Sequence, residues 1–166
     1  MAGGDVMARI PVQFRLNGDE RAEFIESGTT LFHALRDTMG DTSPKGGCHQ
    51  GTCGACSVIV DGELRLSCLT LAESCGGATI ETTAGLGRDG VLHPVQRAIL
   101  DCFATQCGFC TPGMVMAAKA LLDHTPNPSR EDVIEAISGN ICRCTGYEPI
   151  INAVLAAARS DSRNAG

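Results

Sequence analysis

The chain predicts an α+β protein in two parts, a strand-rich unit at residues 1–84 followed by a four-helix bundle at residues 85–166. Three observations lead there. Residues 9–26 alternate apolar and polar side chains with the period of a half-buried strand. Beyond residue 92 the apolar period becomes helical. Eight of the ten cysteines fall into two quartets, one on each side of a Gly-rich stretch.

Met1 to Ala8 is small and polar and predicts a disordered end. In the first strand Val12, Phe14 and Leu16 share one face. Asn17-Gly18 then reads as a hairpin turn before a second extended run from Arg21 to Glu26, because both residues tolerate positive φ. Thr29 or Thr30 caps a short helix through Leu31, Leu35 and Arg36. Residues 44–54 hold four glycines in eleven positions and make neither helix nor strand. Ser57–Val60 and Glu63–Leu66 pair around Asp61-Gly62, which is read as a turn and nothing more. A short strand follows near Ala78 to Glu81.

Residues 74–92 are rich in Gly, Ser and Thr and read as a linker. His93 to Thr105 predicts a helix with Pro94 in its first turn, where a missing N–H does no harm. Pro112 to His124 is a second helix, stopped by Thr125-Pro126-Asn127-Pro128. Ser129 caps a third, with Asp132 three residues on, and that helix ends at Ser138-Gly139. A fourth covers Glu148 to Ala158, before a polar tail. Short connections suggest an up-down-up-down order. The first and third connections then lie at the same end and bring together cysteines about thirty residues apart.

Composition narrows the function. Two units of roughly 80 residues have marginal apolar cores. With no Trp, one Tyr and five Phe, aromatic burial is thin, so each half is expected to need a staple, whether disulfides, a metal or a partner surface. Net charge is −6 with no basic run, which argues against nucleic acid as a partner. No apolar stretch approaches the ~20 residues that span a bilayer. The N-terminus lacks the pattern of a secretory signal, so a cytoplasmic protein is expected. Thiols stay reduced there, which favours metal sites over disulfides.

Cys48-x4-Cys53-x2-Cys56 with a distant Cys68 is the plant-type ferredoxin spacing for a [2Fe–2S] cluster. Gly46, Gly47, Gly51 and Gly54 are expected to turn the backbone inward at positive φ and aim amides at the sulfurs. The alternative is a structural zinc site, but zinc prefers paired Cys-x2–4-Cys knuckles and only one half is compact. His49, between ligands, is a conceivable Rieske-like ligand and more simply an exposed loop residue. The second quartet, Cys107-x2-Cys110 and Cys142-x-Cys144, is less general. A Cys-x-Cys pair is awkward for zinc, because adjacent side chains diverge unless the backbone turns sharply.

Gln106-Cys107-Gly108-Phe109-Cys110-Thr111-Pro112-Gly113 and Asn140-Ile141-Cys142-Arg143-Cys144-Thr145-Gly146-Tyr147 follow a plant-type ferredoxin module in this order. Together they resemble the small iron–sulfur subunit of the xanthine oxidase family of molybdenum hydroxylases, of the carbon monoxide dehydrogenase, quinoline oxidoreductase and nicotine dehydrogenase small-subunit type. The match runs from about Arg9 to Ala158, with no departure at the eight ligand positions. The resemblance implies a β-grasp ferredoxin domain and a four-helix domain, each with one [2Fe–2S] cluster. It also implies a large subunit with molybdopterin, in its cytosine dinucleotide form, and a medium subunit with FAD, the whole doubled into a dimer of heterotrimers. Electrons would pass between molybdenum and FAD through the Cys107/Cys110/Cys142/Cys144 cluster and then the Cys48/Cys53/Cys56/Cys68 cluster. Gln106 and Cys144 match positions that approach the pterin.

No nucleophile–base pair, paired carboxylates or phosphate loop is present, so turnover by this chain alone is not expected. Cys75 and Cys102 read as small, partly buried hydrophobes. Arg143 either raises a cluster potential or pairs with an acidic group on a partner. Met114 and Met116 read as packing residues, Phe109 as a shield over the second cluster, and His33, His93 and His124 as ordinary. Tyr147 is expected to pack and hydrogen-bond at the start of the last helix. The competing function is a freestanding two-cluster ferredoxin that diffuses between partners. Copurification would separate the two, and metal analysis would discriminate a third reading, a zinc-stabilised interaction protein.

Overall fold

The computed structural model describes residues 8–164, with side chains to residue 160. The tail predicted at Met1–Ala8 lies outside the described residues except for Ala8, whose carbonyl accepts from the Ser27 N–H at 3.0 Å. Strand β1 (Arg9–Leu16) and β2 (Asp19–Glu26) pair antiparallel across Asn17-Gly18. Both turn residues sit in the left-handed region, at φ 53° and 95°. Val12, Phe14 and Leu16 point into the core and their neighbours face out, as the alternation predicts.

Thr30 caps helix α1 (Leu31–His33) through its hydroxyl, which accepts from the His33 N–H. The helix then loosens into a π-helical turn at Ala34–Thr38 rather than staying α. Strands β3 (Ser57–Val60) and β4 (Glu63–Leu66) form the second hairpin, and β5 (Thr79–Glu81) completes a sheet of order β2-β1-β5-β3-β4. Strand β5 runs parallel to β1 and antiparallel to β3. Asp61 does more than turn the chain. Its side chain accepts from the Thr79 N–H at 2.7 Å and its own N–H donates to the Thr79 carbonyl at 2.8 Å, so the β3–β4 turn holds β5.

The segment read as a linker is tied at its middle, through Thr82 and Thr83, to both halves. Asn17 and Thr82 exchange two hydrogen bonds, and the Thr82 hydroxyl donates to Asp41 at 2.6 Å. Thr83 donates to the Pro112 carbonyl, and Gln96 donates to the Thr83 carbonyl. Helices α2 (Pro94–Asp101), α3 (Thr111–His124), α4 (Arg130–Ile137) and α5 (Glu148–Asn164) follow. Helix α2 ends before the predicted Thr105, because Phe103 turns left-handed at φ 51°. Helix α5 continues through the predicted polar tail. Ser129 and Asp132 form a reciprocal cap on α4.

Two main cores result. One lies between the sheet, α1 and the following turns, around Phe14, Leu31, Leu35, Val58 and Ile80. The other joins the later helices around Val95, Met114, Val133, Ile150 and Val154. They meet through β3, all four residues of which are buried. Val58 and Val60 face the first core, while Ile59 faces Met116 and Ala120 on α3. The closest approach is backbone to backbone: a Cβ on Gly113 would lie 2.3 Å from the Gly54 carbonyl oxygen. Only glycine fits there, although Gly113 itself is helical.

Gly113→Ala should therefore cost about 1–3 kcal/mol through overpacking against rigid backbone. Gly76→Ala, which meets nothing within 4 Å, should stay within about 0.5 kcal/mol of the parent; denaturant titration compares the two. Met116→Ala should cost roughly 2–5 kcal/mol, because a fully buried side chain leaves a cavity between the halves.

Candidate iron–sulfur sites

The first quartet is built on the loop between α1 and β3. Gly51 and Gly54 take positive φ there, as does His49 at 53°. Gly46 and Gly47 do not. They are small because a Cβ on Gly46 would strike the His49 and Phe32 rings, and one on Gly47 would come within 2.8 Å of the Cys53 sulfur. The loop aims amides at sulfur as expected: Thr52 and Gln50 N–H donate to Cys48 Sγ at 3.3 and 3.5 Å. Cys53 lies close enough to Cys48 to influence its titration, and Cys56 stands likewise beside Cys68, supplied from beyond β4. Cys56 and Cys68 are buried and pack with Phe32, whereas Cys48 and Cys53 are half-buried.

The second quartet joins the loop before α3 to the loop before α5. Cys107 and Cys144 lie with their sulfurs 3.5 Å apart although 37 residues separate them. Cys110 and Cys142 lie close enough to influence each other's titration. Two thiolates on one tetrahedral metal, at bonds of ~2.3 Å, would stand about 3.8 Å apart. The Cys107–Cys144 separation is close to that. Cys107 and Cys144 are exposed, Cys110 is half-buried and Cys142 is buried.

Each quartet is thus two pairs rather than one convergent tetrad. Among the described residues no three His, Cys, Asp or Glu side chains surround a point a single ion would take. A two-iron centre asks for two thiolates on each iron, whereas structural zinc asks for four around one ion. The donor set fits the former. The local electrostatics differ within the pairs. Hydrogen bonds from the Thr52 side chain and the Gln50 amide hold Cys48 down at about 5. Burial, with help from Cys56, pushes Cys68 up to about 11. Burial and Cys142 push Cys110 up to about 12. Burial also raises Cys142, but bonds from Thr145 and the Cys144 amide outweigh it and leave the thiol at about 7. The Phe109 amide lowers Cys107, and Cys107 in turn raises Cys144.

Other residues named from sequence fall as follows. Gln106 is exposed beside Cys107, on the open edge that Cys144 shares. Cys75 is buried and donates weakly to the Leu71 carbonyl, and Cys102 is half-buried, both away from the thiol pairs. Arg143 is exposed. Met114 and Met116 are core residues. Phe109 is 48% exposed, and its ring also reaches the first loop, 3.7 Å from where a Gly47 Cβ would sit. His33 binds Asp37 at 2.8 Å and stacks on His49. His93 is not ordinary: its ring accepts from the Val95 N–H and caps α2.

Sequence reasoning missed Asn140. It is 3% exposed and donates to the Gly54 carbonyl at 3.0 Å, across 86 residues. Tyr147 was expected only to pack and hydrogen-bond. Its hydroxyl donates to the Asn140 carbonyl at 3.2 Å and accepts from the Cys142 N–H at 3.0 Å. Asn140 precedes a cysteine motif and follows a Ser-Gly stop, which marks a turn but gives no hint of a partner in the other half.

Known proteins share this arrangement. Residues 14–74 match the family described as 2Fe-2S iron-sulfur cluster binding domain, and residues 79–155 match that described as [2Fe-2S] binding domain. The chain is 46% identical to the nicotine 6-hydroxylase small subunit of Paenarthrobacter nicotinovorans, over 90% of each chain. It is 45% identical to the nicotinate dehydrogenase small FeS subunit of Eubacterium barkeri, over 89% of this chain and 94% of that one. The crystal structure of quinoline 2-oxidoreductase from Pseudomonas putida 86 superposes with a TM-score of 0.90 at 43% identity, covering 93% of this chain and 97% of the matched one. In the aldehyde oxidoreductase of Desulfovibrio desulfuricans the match takes up 17% of a longer chain, with a TM-score of 0.89 at 41% identity. A chain matched almost end to end in this way, with two cysteine quartets folded into thiol pairs, belongs to the small [2Fe–2S] iron–sulfur subunits of the xanthine oxidase family of molybdenum hydroxylases.

Proposed function

We propose that this chain is the electron-transfer subunit of a multi-subunit molybdenum–flavin oxidoreductase, joining the molybdopterin of a large subunit to the FAD of a medium subunit. The observation that carries the reading is the closure of both quartets into thiol pairs on loops that touch each other. Cys48, Cys53, Cys56 and Cys68 would hold one [2Fe–2S] centre, and Cys107, Cys110, Cys142 and Cys144 the other. When bound, such centres exchange single electrons. The chain's own residues do the rest. Amides of Gln50, Thr52 and Phe109 face thiolate sulfur and offset its charge. Burial of Cys56, Cys68 and Cys142 keeps one side of each site dry.

The domains in this reading are a β-grasp unit at residues 1–84 and a four-helix bundle at residues 85–166. Gln106 and Cys144 would meet the pterin, since both stand on the exposed edge of the second site. Apolar residues surround that region: Leu100, Phe103, Phe109 and Ile141 are 45–86% exposed. A groove of about 260 Å³ runs beside it, lined by Leu92, Ile99, Leu100, Gly108, Pro112 and Val115. A diffusing ferredoxin would expose charge there, so a fixed partner surface fits better. The nicotine 6-hydroxylase and nicotinate dehydrogenase relatives are by name small subunits, which supports the same reading. Substrate contacts belong to the large subunit, the assembly is a dimer of heterotrimers, and the compartment is the cytoplasm. No described helix is long and apolar enough to cross a membrane.

The decisive experiment is purification with neighbouring gene products. A complex containing molybdenum, FAD and about four irons per small subunit is expected; a brown monomer without partners would overturn the reading. Cys68→Ser and Cys142→Ser should each remove one of the two [2Fe–2S] signals in electron paramagnetic resonance and leave the other. Cys75→Ser should leave both. Phe103→Asp should keep the thermal midpoint of the isolated chain, because Asp accepts left-handed backbone, while weakening copurification with the large subunit.

A further inference from the structure

His49 sits between Cys48 and Gln50 with φ at 53°, a left-handed conformation uncommon outside glycine. Its ring folds back over the loop. A Cβ on Gly46 would lie 2.6 Å from His49 Nε2 and 2.8 Å from Cζ of Phe32, so the ring is seated on bare backbone. Two rings hold it there. Phe32 meets it edge-on, with centroids 5.1 Å apart at 85°, and His33 stacks on it at 6.0 Å and 19°. Both come from α1 and are themselves fixed. Phe32 packs on Cys56 and Cys68, and its N–H donates to the Ser67 carbonyl at 3.0 Å. Asp37 binds the His33 ring at 2.8 Å. Arg36 lies 5.5 Å from the Phe32 ring centre and donates to the Thr42 and Pro44 carbonyls, both at 2.7 Å. Arg36 and Asp37 stand on the π-helical turn, a departure from α geometry that is frequent at functional sites.

This clamp lies outside the core of the sheet unit, since Phe32 belongs with the two buried thiols and not with Phe14, Leu31 and Ile80. What it restrains is the turn from Cys48 to Thr52. The Gln50 and Thr52 N–H groups reach Cys48 Sγ, at 3.5 and 3.3 Å, because the chain turns left-handed at His49 and Gly51. We propose that His49 is a positioning residue of the first iron–sulfur site: its seated ring holds the turn that aims both amides at Cys48 and so sets the potential of that centre. The inference rests on the two-cluster reading above. One-electron reduction places added negative charge on the sulfurs, and amides aimed at them favour that state. A loosened turn withdraws the amides and lowers the potential. Mere loss of shielding acts the other way, because water admitted to the site favours the more charged, reduced state. The sign therefore separates positioning from shielding.

The test uses the intact complex. His49→Asn removes the ring and keeps a residue that accepts left-handed backbone. Gly46→Ala leaves His49 in place and pushes its ring off the seat. Iron content and the midpoint potential of each centre, followed by its own electron paramagnetic resonance, are measured at about pH 5.5 and about pH 8.5, on either side of the ordinary histidine pKa. Both variants should keep their iron, lower the midpoint of the first centre by the same amount at both pH values, and leave the second centre unmoved. His33→Ala, outside the cysteine loop, should give a smaller shift of the same sign, and it keeps the test alive if the loop variants lose iron. An unchanged or raised midpoint with iron retained would overturn the proposal, as would a drop confined to the lower pH, which would mark a charge effect of the imidazole. If the parent complex shows no [2Fe–2S] resonance that Cys68→Ser removes, the two-cluster reading fails rather than the clamp.

Discussion

The architecture depends on one close approach, the Gly54 carbonyl lodged against the backbone of Gly113. A side chain on either residue would push the halves apart, and the cysteine loops would separate with them. Gly54 lies between Cys53 and Cys56, and Gly113 lies three residues beyond Cys110. The contact therefore sets the distance between sites as directly as it sets the interface. Burial of Ile59 against Met116 supplies the apolar part of the cohesion, while Asn140 adds a donor from the other half to the Gly54 carbonyl, which Ser57 also pairs. The protein gains a rigid spacing between its sulfur sites from a joint made almost wholly of backbone.

Sulfur charge is the second constraint. Eight thiolates in a small chain repel one another, and a net charge of −6 gives no general relief. Relief is local instead. Amide N–H groups face Cys48 and Cys107, and the Thr145 hydroxyl faces Cys142. At Cys68 and Cys110 burial and a neighbouring cysteine outweigh the amide donors and push the thiols up. Metal capture displaces their protons, so the ordered loops of the final fold and the bound centre favour each other. This is how a chain with thin aromatic cores can support two long irregular loops.

Much of this was legible in the sequence because it is local. Strand β1 follows from its period of two, the first hairpin from Asn17-Gly18, and the cap of α4 from Ser129 and Asp132. Both quartets are named from spacing, and the meeting of the two halves of the second from the parity of the connections, although not which thiol faces which. What escaped depends on contacts far along the chain. The π-helical turn after α1 has no composition signal. Phe103 ends α2 in a left-handed conformation that a bulky residue rarely takes. His93 caps a helix although histidine is an uncommon cap. The Gly-rich stretch reads as free linker because its anchors, Asn17, Asp41 and Pro112, lie in other elements. Asn140 is the extreme case, a buried amide whose partner lies in the other half.

Exposure is distributed to match. Each site has one pair of thiols more buried than the other: Cys56 with Cys68 against the half-buried Cys48 with Cys53, and Cys142 with Cys110 against the exposed Cys107 with Cys144. The more buried pair excludes water, and the other leaves an open edge. The Ile141 N–H donates to the Cys53 carbonyl and so joins the loop beside Cys142 to the loop of the first site. Side chains hold this bond from both sides, the Tyr147 phenol on one and the Asn140 carboxamide on the other. Such restraint fixes the spacing of the two cysteine loops, whereas stability alone gains little beyond the packing already present.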